Sequence, residues 1–213
     1  MTENIKKTGT TTLGIVCKEG IVLAADRRAT AGNLVISKKV RKVIPIDDNV
    51  AVTVAGSVSD IQMIIKIIKA QIKLNSLRRA DKRLTIKEVA NLLGNLVYNA
   101  IRTPSMFPSI TGFLVGGQDN SGFHLYNLGI GGDVLEEDDY TADGSGMEFA
   151  IGVLENSYKK GMSINDGIKL AVDAISAAIQ RDTASGNGLN VLTITKDGIK
   201  MVIEKELETR ISL

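Results

Sequence analysis

The sequence predicts an α+β fold, a four-layer α-β-β-α sandwich of two antiparallel sheets flanked by helix pairs. Three observations predict it. Apolar periodicity runs along the chain as strands, two helices, strands, two helices, strands. Short turn signals separate successive strands, which joins them as hairpins and makes the sheets antiparallel. Helical patterns come in pairs, so each pair can cover the outer face of a sheet. The 213 residues fit one domain better than two, and no linker, composition shift or repeat divides them.

The elements follow in order. Residues 11–18 and 21–26 are β-rich runs around Glu19-Gly20, read as a hairpin turn. Runs 40–46 and 50–56 follow, separated by Asp47-Asp48-Asn49. Helical spacing then takes over at Ile61, Ile64, Ile65, Ile68 and Ile72, with Ser57 or Ser59 as cap. Met63, Ile67, Ala70 and Leu74 add a second apolar stripe, so helix 60–74 should be covered on more than one side. Thr85-x-x-Glu88 is a capping box opening a second helix, which stops before Pro104. Strands return at 111–116 and 123–128 around a turn at 118–122, with another near 134–140. Helices at about 147–158 and 164–180 and a terminal hairpin, 189–195 with 199–203, complete the chain.

Composition excludes several function classes. Hydrophobic residues at 44% suffice for a core, and with 4% aromatics and no Trp that core must be aliphatic. A net charge of +2, with 26 basic and 24 acidic residues interspersed, gives no footprint for nucleic acid or a membrane surface. The N-terminal MTENIKKTG lacks the apolar stretch of a secretory signal, and the lone Cys17, in an apolar strand pattern, suits a reducing cytoplasm. One His and one Cys cannot build a usual zinc site, and neither metal nor cofactor is expected. A triad would need the only histidine, His124, which lies in an apolar strand pattern with no Gly-x-Ser-x-Gly elbow in the chain. The glycine-rich stretches 129–132 and 186–188 lack the Lys of a phosphate loop and read as turns. The acidic run 136–139 reads as a solvated edge or loop.

What remains is Gly9 followed by Thr10-Thr11-Thr12 at the start of the first strand. A threonine hydroxyl is a poor nucleophile unless a base stands beside it, and a free α-amino group on the same residue can serve. That amine has a pKa of about 7.7–8.0, close to working pH. Reflecting the first strand through a turn at Glu19-Gly20 sets Ala29 opposite Thr10, flanked by Arg28 and Thr30. Asp26 then lies three residues further along, roughly 10 Å away at strand spacing. Lys42, at the start of the next strand, can reach between them: Asp26 would hold its ammonium, and the ammonium would lower the hydroxyl pKa.

These residues carry a resemblance. Gly9-Thr-Thr-Thr-x-Gly14-Ile, Ala24-Ala-Asp26-x-Arg28-Ala-Thr30, Lys42, Ala55-Gly56, Gly144-Ser145-Gly146 and Gln180-Arg-Asp182-x-x-Ser185-Gly186 resemble the β-type subunits of archaeal proteasomes. Asp26 and Lys42 stand 16 and 32 residues after Thr10, and Asp182 and Ser185 stand 37 and 40 after Ser145, as in that family. The resemblance implies an N-terminal nucleophile hydrolase fold and a threonine-type endopeptidase degrading unfolded proteins to short peptides. It implies that residues 1–9 are a propeptide removed by self-cleavage between Gly9 and Thr10, leaving 10–213 as the catalytic domain. Thr10 would be nucleophile and, through its amine, base. Lys42 and Asp26 would tune it, Ser145, Asp182 and Ser185 would orient the amine and its water, and the Gly56 amide would meet the oxyanion. Whether the amine or Lys42 takes the proton stays open. Arg28, Ala29, Thr30, Val40, Ile44, Val54 and Val58 match substrate-binding positions, of which Ala29, Val40, Ile44, Val54 and Val58 form an uncharged primary pocket.

The implied partners are α-type and other β subunits in stacked seven-membered rings, and an ATP-dependent unfoldase, in the cytoplasm. Asp143 departs from the family pattern, which has a small or hydroxyl residue there, and adds charge near the amine pocket. Alternatives are a bacterial two-ring threonine peptidase, which Arg181-Asp182-x-x-Ser185-Gly186 disfavours, a ring subunit that never matures, and a small-molecule amidase of the same class.

Overall fold

The computed structural model describes residues 9–79, 83–106 and 108–207; of the expected propeptide, only Gly9 falls within them. Alternation in β1 (Thr11–Cys17) and β2 (Gly20–Asp26) sends Leu13, Ile15, Val22 and Ala24 to one face and Ile21, Leu23 and Ala25 to the other. Both faces are buried, which is why these runs read as almost wholly apolar. A short hairpin, β3 (Ala29–Ala31) with β4 (Leu34–Ser37), stands outside both large sheets. Then come β5 (Val43–Asp47), β6 (Val50–Gly56), α1 (Val58–Arg78) and α2 (Ile86–Arg102). Strands β7 (Thr111–Asp119), β8 (Gly122–Leu128), β9 (Val134–Glu137) and β10 (Tyr140–Gly144) precede α3 (Met147–Ser157) and α4 (Ile164–Arg181). The terminal hairpin is β11 (Gly188–Thr195) with β12 (Gly198–Glu206).

The strands form two five-stranded sheets, β10-β1-β2-β11-β12 and β5-β6-β7-β8-β9, antiparallel throughout. The first sheet packs on α3 and α4 through Leu13, Ile15, Ala24, Leu154, Ala171 and Ile175. The second packs on α1 and α2 through Val52, Val54, Ile68, Leu93 and Phe113. A third cluster, with Ile21, Leu23, Leu125, Leu192 and Ile194, fills the space between the sheets. The expected sandwich is therefore the observed one, and the expected helix pairs are its outer layers. The Thr85–Glu88 capping box is formed in both directions. Ser57 occupies the N-cap position of α1, but its side chain accepts no capping hydrogen bond.

Three readings are corrected, and one hairpin is new. The first hairpin turns at Lys18-Glu19, not Glu19-Gly20, since Cys17 pairs with Gly20 and Thr12 with Ala25. Gly20 is a strand residue, glycine because a Cβ there would stand 2.1 Å from the Ile194 carbonyl oxygen of β11. The register thus shifts by two, and the expected alignment of Ala29 with Thr10 does not hold. The single strand expected near 134–140 is two, β9 and β10, one at an edge of each sheet, and the acidic run includes the Asp138-Asp139 crossover between them. Lys42 precedes β5 rather than lying within it, and β3–β4 was not foreseen although Gly32-Asn33 marks its turn. The second apolar stripe of α1 is exposed within the single chain, with Met63 59% and Leu74 52% accessible.

Candidate active site

The start of β1 is enclosed by segments from all over the chain. Thr10, Asp26 and Lys42 are all buried. Because Thr12 pairs with Ala25, Asp26 stands beside Thr11, and its Oδ1 accepts the Thr11 amide at 3.0 Å. Asp26 Oδ2 accepts two further amides, Arg28 and Gly186, each at 2.9 Å. Lys42 Nζ donates to Asp26 Oδ1 at 2.7 Å, completing the set around one carboxylate. Burial pushes the Lys42 ammonium below its ordinary lysine range, and the charge of Asp26 opposes that shift.

Lys42 Nζ also lies 3.5 Å from the carbonyl oxygen of Gly9, to which Thr10 Oγ1 donates at 2.7 Å. The hydroxyl, the carbonyl before it and the lysine therefore meet at one peptide bond. Gly9 donates its amide to Thr30 Oγ1 at 3.1 Å. It must be glycine, because a Cβ at residue 9 would fall 1.7 Å from the Ala184 Cβ.

The opposite side is polar. Thr10 N donates to Ser145 Oγ at 3.1 Å, and Ser145 Oγ donates to Asp182 Oδ2 at 2.6 Å. Ser185 Oγ donates to the same oxygen at 2.6 Å and meets Thr11 Oγ1 at 2.7 Å. Two hydroxyl relays from the threonine run thus end on Asp182. That residue is the C-cap of α4, with its amide bound to the Ala178 carbonyl, so the helix end fixes its position.

Arg28 points away from this centre: Nε donates to Asn187 Oδ1 and Nη1 to the Thr183 carbonyl, each at 2.8 Å, clasping the 182–187 loop. Gly56 ends β6; since the Val54 amide donates to the Lys42 carbonyl, the Gly56 amide projects from the same strand edge, just past where β5 begins. Ala29 and Val54 are buried, Val40 and Ile44 half-buried, and Val58 is exposed at the first turn of α1. His124 lies at the end of β8 where Gly117 pairs, six register steps from the Gly56 end of the sheet, bonded to Ser121 and Glu136. Cys17 is buried, its thiol pushed up to about 12 chiefly by desolvation. The sequence reading missed the Gly186 amide, having taken 186–188 as a plain turn, and missed the Thr11–Ser185 contact and the Ala184 wall.

Comparison with known proteins decides the family. A proteasome subunit family model matches residues 6–194. The chain belongs to the proteasome subunit family. It is 46% identical to proteasome subunit beta 2 of Pyrococcus furiosus, over 95% of each chain. It is 44% identical to proteasome subunit beta 1 of Thermococcus kodakarensis over 98% of each, and 43% identical to the Archaeoglobus profundus subunit beta over 96% of this chain and 93% of that one. The chain is thus a β-type subunit of a proteasome core particle, a threonine-type endopeptidase.

Asp143, the departure from the family pattern, faces Gly112 and accepts the Gly144 amide at 2.7 Å, whereas Ser145 meets the Thr10 nitrogen. Burial raises its carboxyl above the usual aspartate range. Such a group binds its proton more tightly folded than unfolded, so it favours the fold below the unfolded pKa and loses that contribution as pH rises through the folded one. Asp143→Asn should therefore unfold at higher urea than the unmodified chain at about pH 7, with the gap closing as pH falls through the raised folded pKa into the ordinary aspartate range. A gap independent of pH in urea melts would contradict this.

Proposed function

We propose that Thr10 is the nucleophile of this β subunit, first against its own Gly9 carbonyl and then, as the N-terminal residue, against substrate peptides. The convergence of Thr10 Oγ1, the Gly9 carbonyl and Lys42 Nζ carries the reading. In maturation, Thr10 Oγ1 attacks the Gly9 carbonyl carbon and gives its proton to a base. The C–N bond then breaks with protonation of the Thr10 nitrogen, and an ester is left. That cleavage frees the α-amine, and water then hydrolyses the ester, releasing residues 1–9 as a peptide with a Gly9 carboxylate and restoring the Thr10 hydroxyl. In turnover the same hydroxyl acylates on a substrate carbonyl, and water regenerates it.

The supporting groups follow from their contacts. Lys42, oriented by Asp26, lowers the hydroxyl pKa. Ser145, with Asp182 and Ser185 behind it, orients the Thr10 nitrogen before and after cleavage. The Gly56 amide is the oxyanion donor. The exposed stripe of α1 suits packing against neighbouring subunits, in α and β rings stacked sevenfold that enclose the sites. Head-to-tail contacts close into rings when the rotation permits. An ATP-dependent unfoldase would feed unfolded protein to the cytoplasmic particle.

N-terminal sequencing of assembled particles should read TTTLGIV. Lys42→Ala should lower maturation and peptide turnover by at least about a hundredfold, although the hydroxyl remains. A start at Thr11, or near-normal turnover without Lys42, overturns the assignment.

Ala29, Val40, Ile44, Val54 and Val58 form the primary pocket in this reading, with no charge among them. Apolar burial contributes about 25 cal/mol per Å², and an unpaired charge costs far more. Fluorogenic peptides should be cleaved after Leu, Tyr or Phe much faster than after Asp or Arg, and Val54→Arg should move the preference towards acidic residues. Equal rates after Asp or Arg by the unmodified particle would refute the pocket and leave the threonine chemistry standing.

A further inference from the structure

The two charges at the centre of the site each have an arginine as chain neighbour, and both arginines reach the same carboxylate. Arg27 follows Asp26, and its Nη2 lies 3.8 Å from Glu204 Oε1 and 3.4 Å from Glu206 Oε1. Arg41 precedes Lys42; its Nη2 donates to both Glu204 oxygens, at 2.9 and 3.2 Å, and its Nε lies 3.4 Å from Oε1. Lys39 stands 3.5 Å from Glu206. The charges alternate along the surface as Lys39, Glu206, Arg27, Glu204, Arg41.

Their placement spans the two sheets. Glu204 pairs with Asn190 and Glu206 with Gly188, so both lie on edge strand β12 of the sheet that carries Asp26. Lys39, Arg41 and Lys42 lie on a segment outside both sheets, just ahead of β5 in the other sheet. Two backbone bonds tie that segment: the Val40 amide to the Arg27 carbonyl at 3.1 Å, and the Lys42 carbonyl to the Val54 amide at 2.9 Å. The Arg41–Glu204 fork is a third tether, between the other two in sequence.

Ion pairs between exposed side chains contribute little. Arg27, however, is only 6% exposed, and its buried Nε has no hydrogen-bond partner among the described residues. Glu204 and Glu206 are therefore the compensation for a guanidinium that has left water. A glutamate that answers Arg27 while gripping Arg41 cannot be removed without loosening both arms.

We infer that Glu204 is a positioning residue for the threonine chemistry: by binding Arg27 and Arg41 together, it holds the segment carrying Lys42 against the strand end carrying Asp26. It touches no reacting atom and acts through the Lys42–Asp26 distance. The inference rests on the roles given above to Lys42 and Asp26.

The test is a double-mutant cycle on assembled, matured particles carrying Glu204→Ala, Arg41→Ala or both, with kcat and KM measured on an apolar fluorogenic peptide. Small misplacements of a catalytic group are costly, so each single change should lower kcat by about three- to tenfold with KM unchanged. The double variant should be no worse than the poorer single one, as for residues acting as one unit. Unchanged kcat, a loss confined to KM, or losses that multiply would overturn the inference. If the alanine chains do not assemble, unmodified particles answer the question. Rising NaCl should screen the exposed Arg41–Glu204 contact and lower kcat at constant KM, and a flat response overturns the inference. A Lys42→Ala control separates the two claims. Activity without Lys42 refutes the underlying reading, whereas lost activity there beside an unaffected Glu204→Ala refutes the clamp alone.

Discussion

One buried carboxylate sets the geometry on which the rest of the site depends. Asp26 has no contact with solvent, yet it accepts from the Thr11, Arg28 and Gly186 amides and from Lys42 Nζ. These donors come from the first strand, the turn after β2, the loop beyond α4 and the segment before β5. A buried charge must be answered by partners in good geometry, and removing one partner of a buried pair costs about 3–5 kcal/mol. Satisfying Asp26 therefore brings four separate segments to fixed positions, and with them the Thr10 hydroxyl and the lysine.

The four-layer architecture makes that convergence possible. Asp26 ends a central strand of one sheet, while Gly56 ends a strand of the other and Lys42 directly precedes β5 of that sheet, and the aliphatic cluster between the sheets holds the two ends in register. The outer layers contribute through their termini. The C-terminus of α4 presents Asp182, which anchors Ser145 and Ser185 and so the nitrogen of Thr10. Gly9 lies against Ala184 with no room for a side chain, so the 182–186 loop also shapes the bond ahead of Thr10. The surroundings of Thr10 are thus a frame drawn from both halves of the molecule.

Much of this was legible in the sequence, for identifiable reasons. Helices α2 and α4 carry clean 3.6-residue periodicity and capping signals, so their existence and starts could be read directly. Thr10, Asp26 and Lys42 stood out because their spacing matched a family pattern, whereas the local register drawn from the first hairpin was wrong. Gly20 resembled a turn residue but is a glycine of close approach, and that one misreading put Asp26 three residues from Thr10 instead of beside Thr11. The Gly186 amide was invisible because backbone donors leave no mark on residue type. The Arg27–Glu204–Arg41 contacts join positions far apart in the chain, which only the register of β12 brings together.

In the proposed chemistry Asp26, by holding Lys42 in the buried site, makes Thr10 reactive. Asp26→Asn tests it most directly, because the amide keeps the shape and one acceptor oxygen while removing the charge that answers the lysine. Intact mass of assembled particles, followed over time, reads the outcome. Asp26→Asn chains should retain the full precursor mass, or lose residues 1–9 far more slowly than unmodified chains. Loss of the same nine residues at the unmodified rate would contradict it.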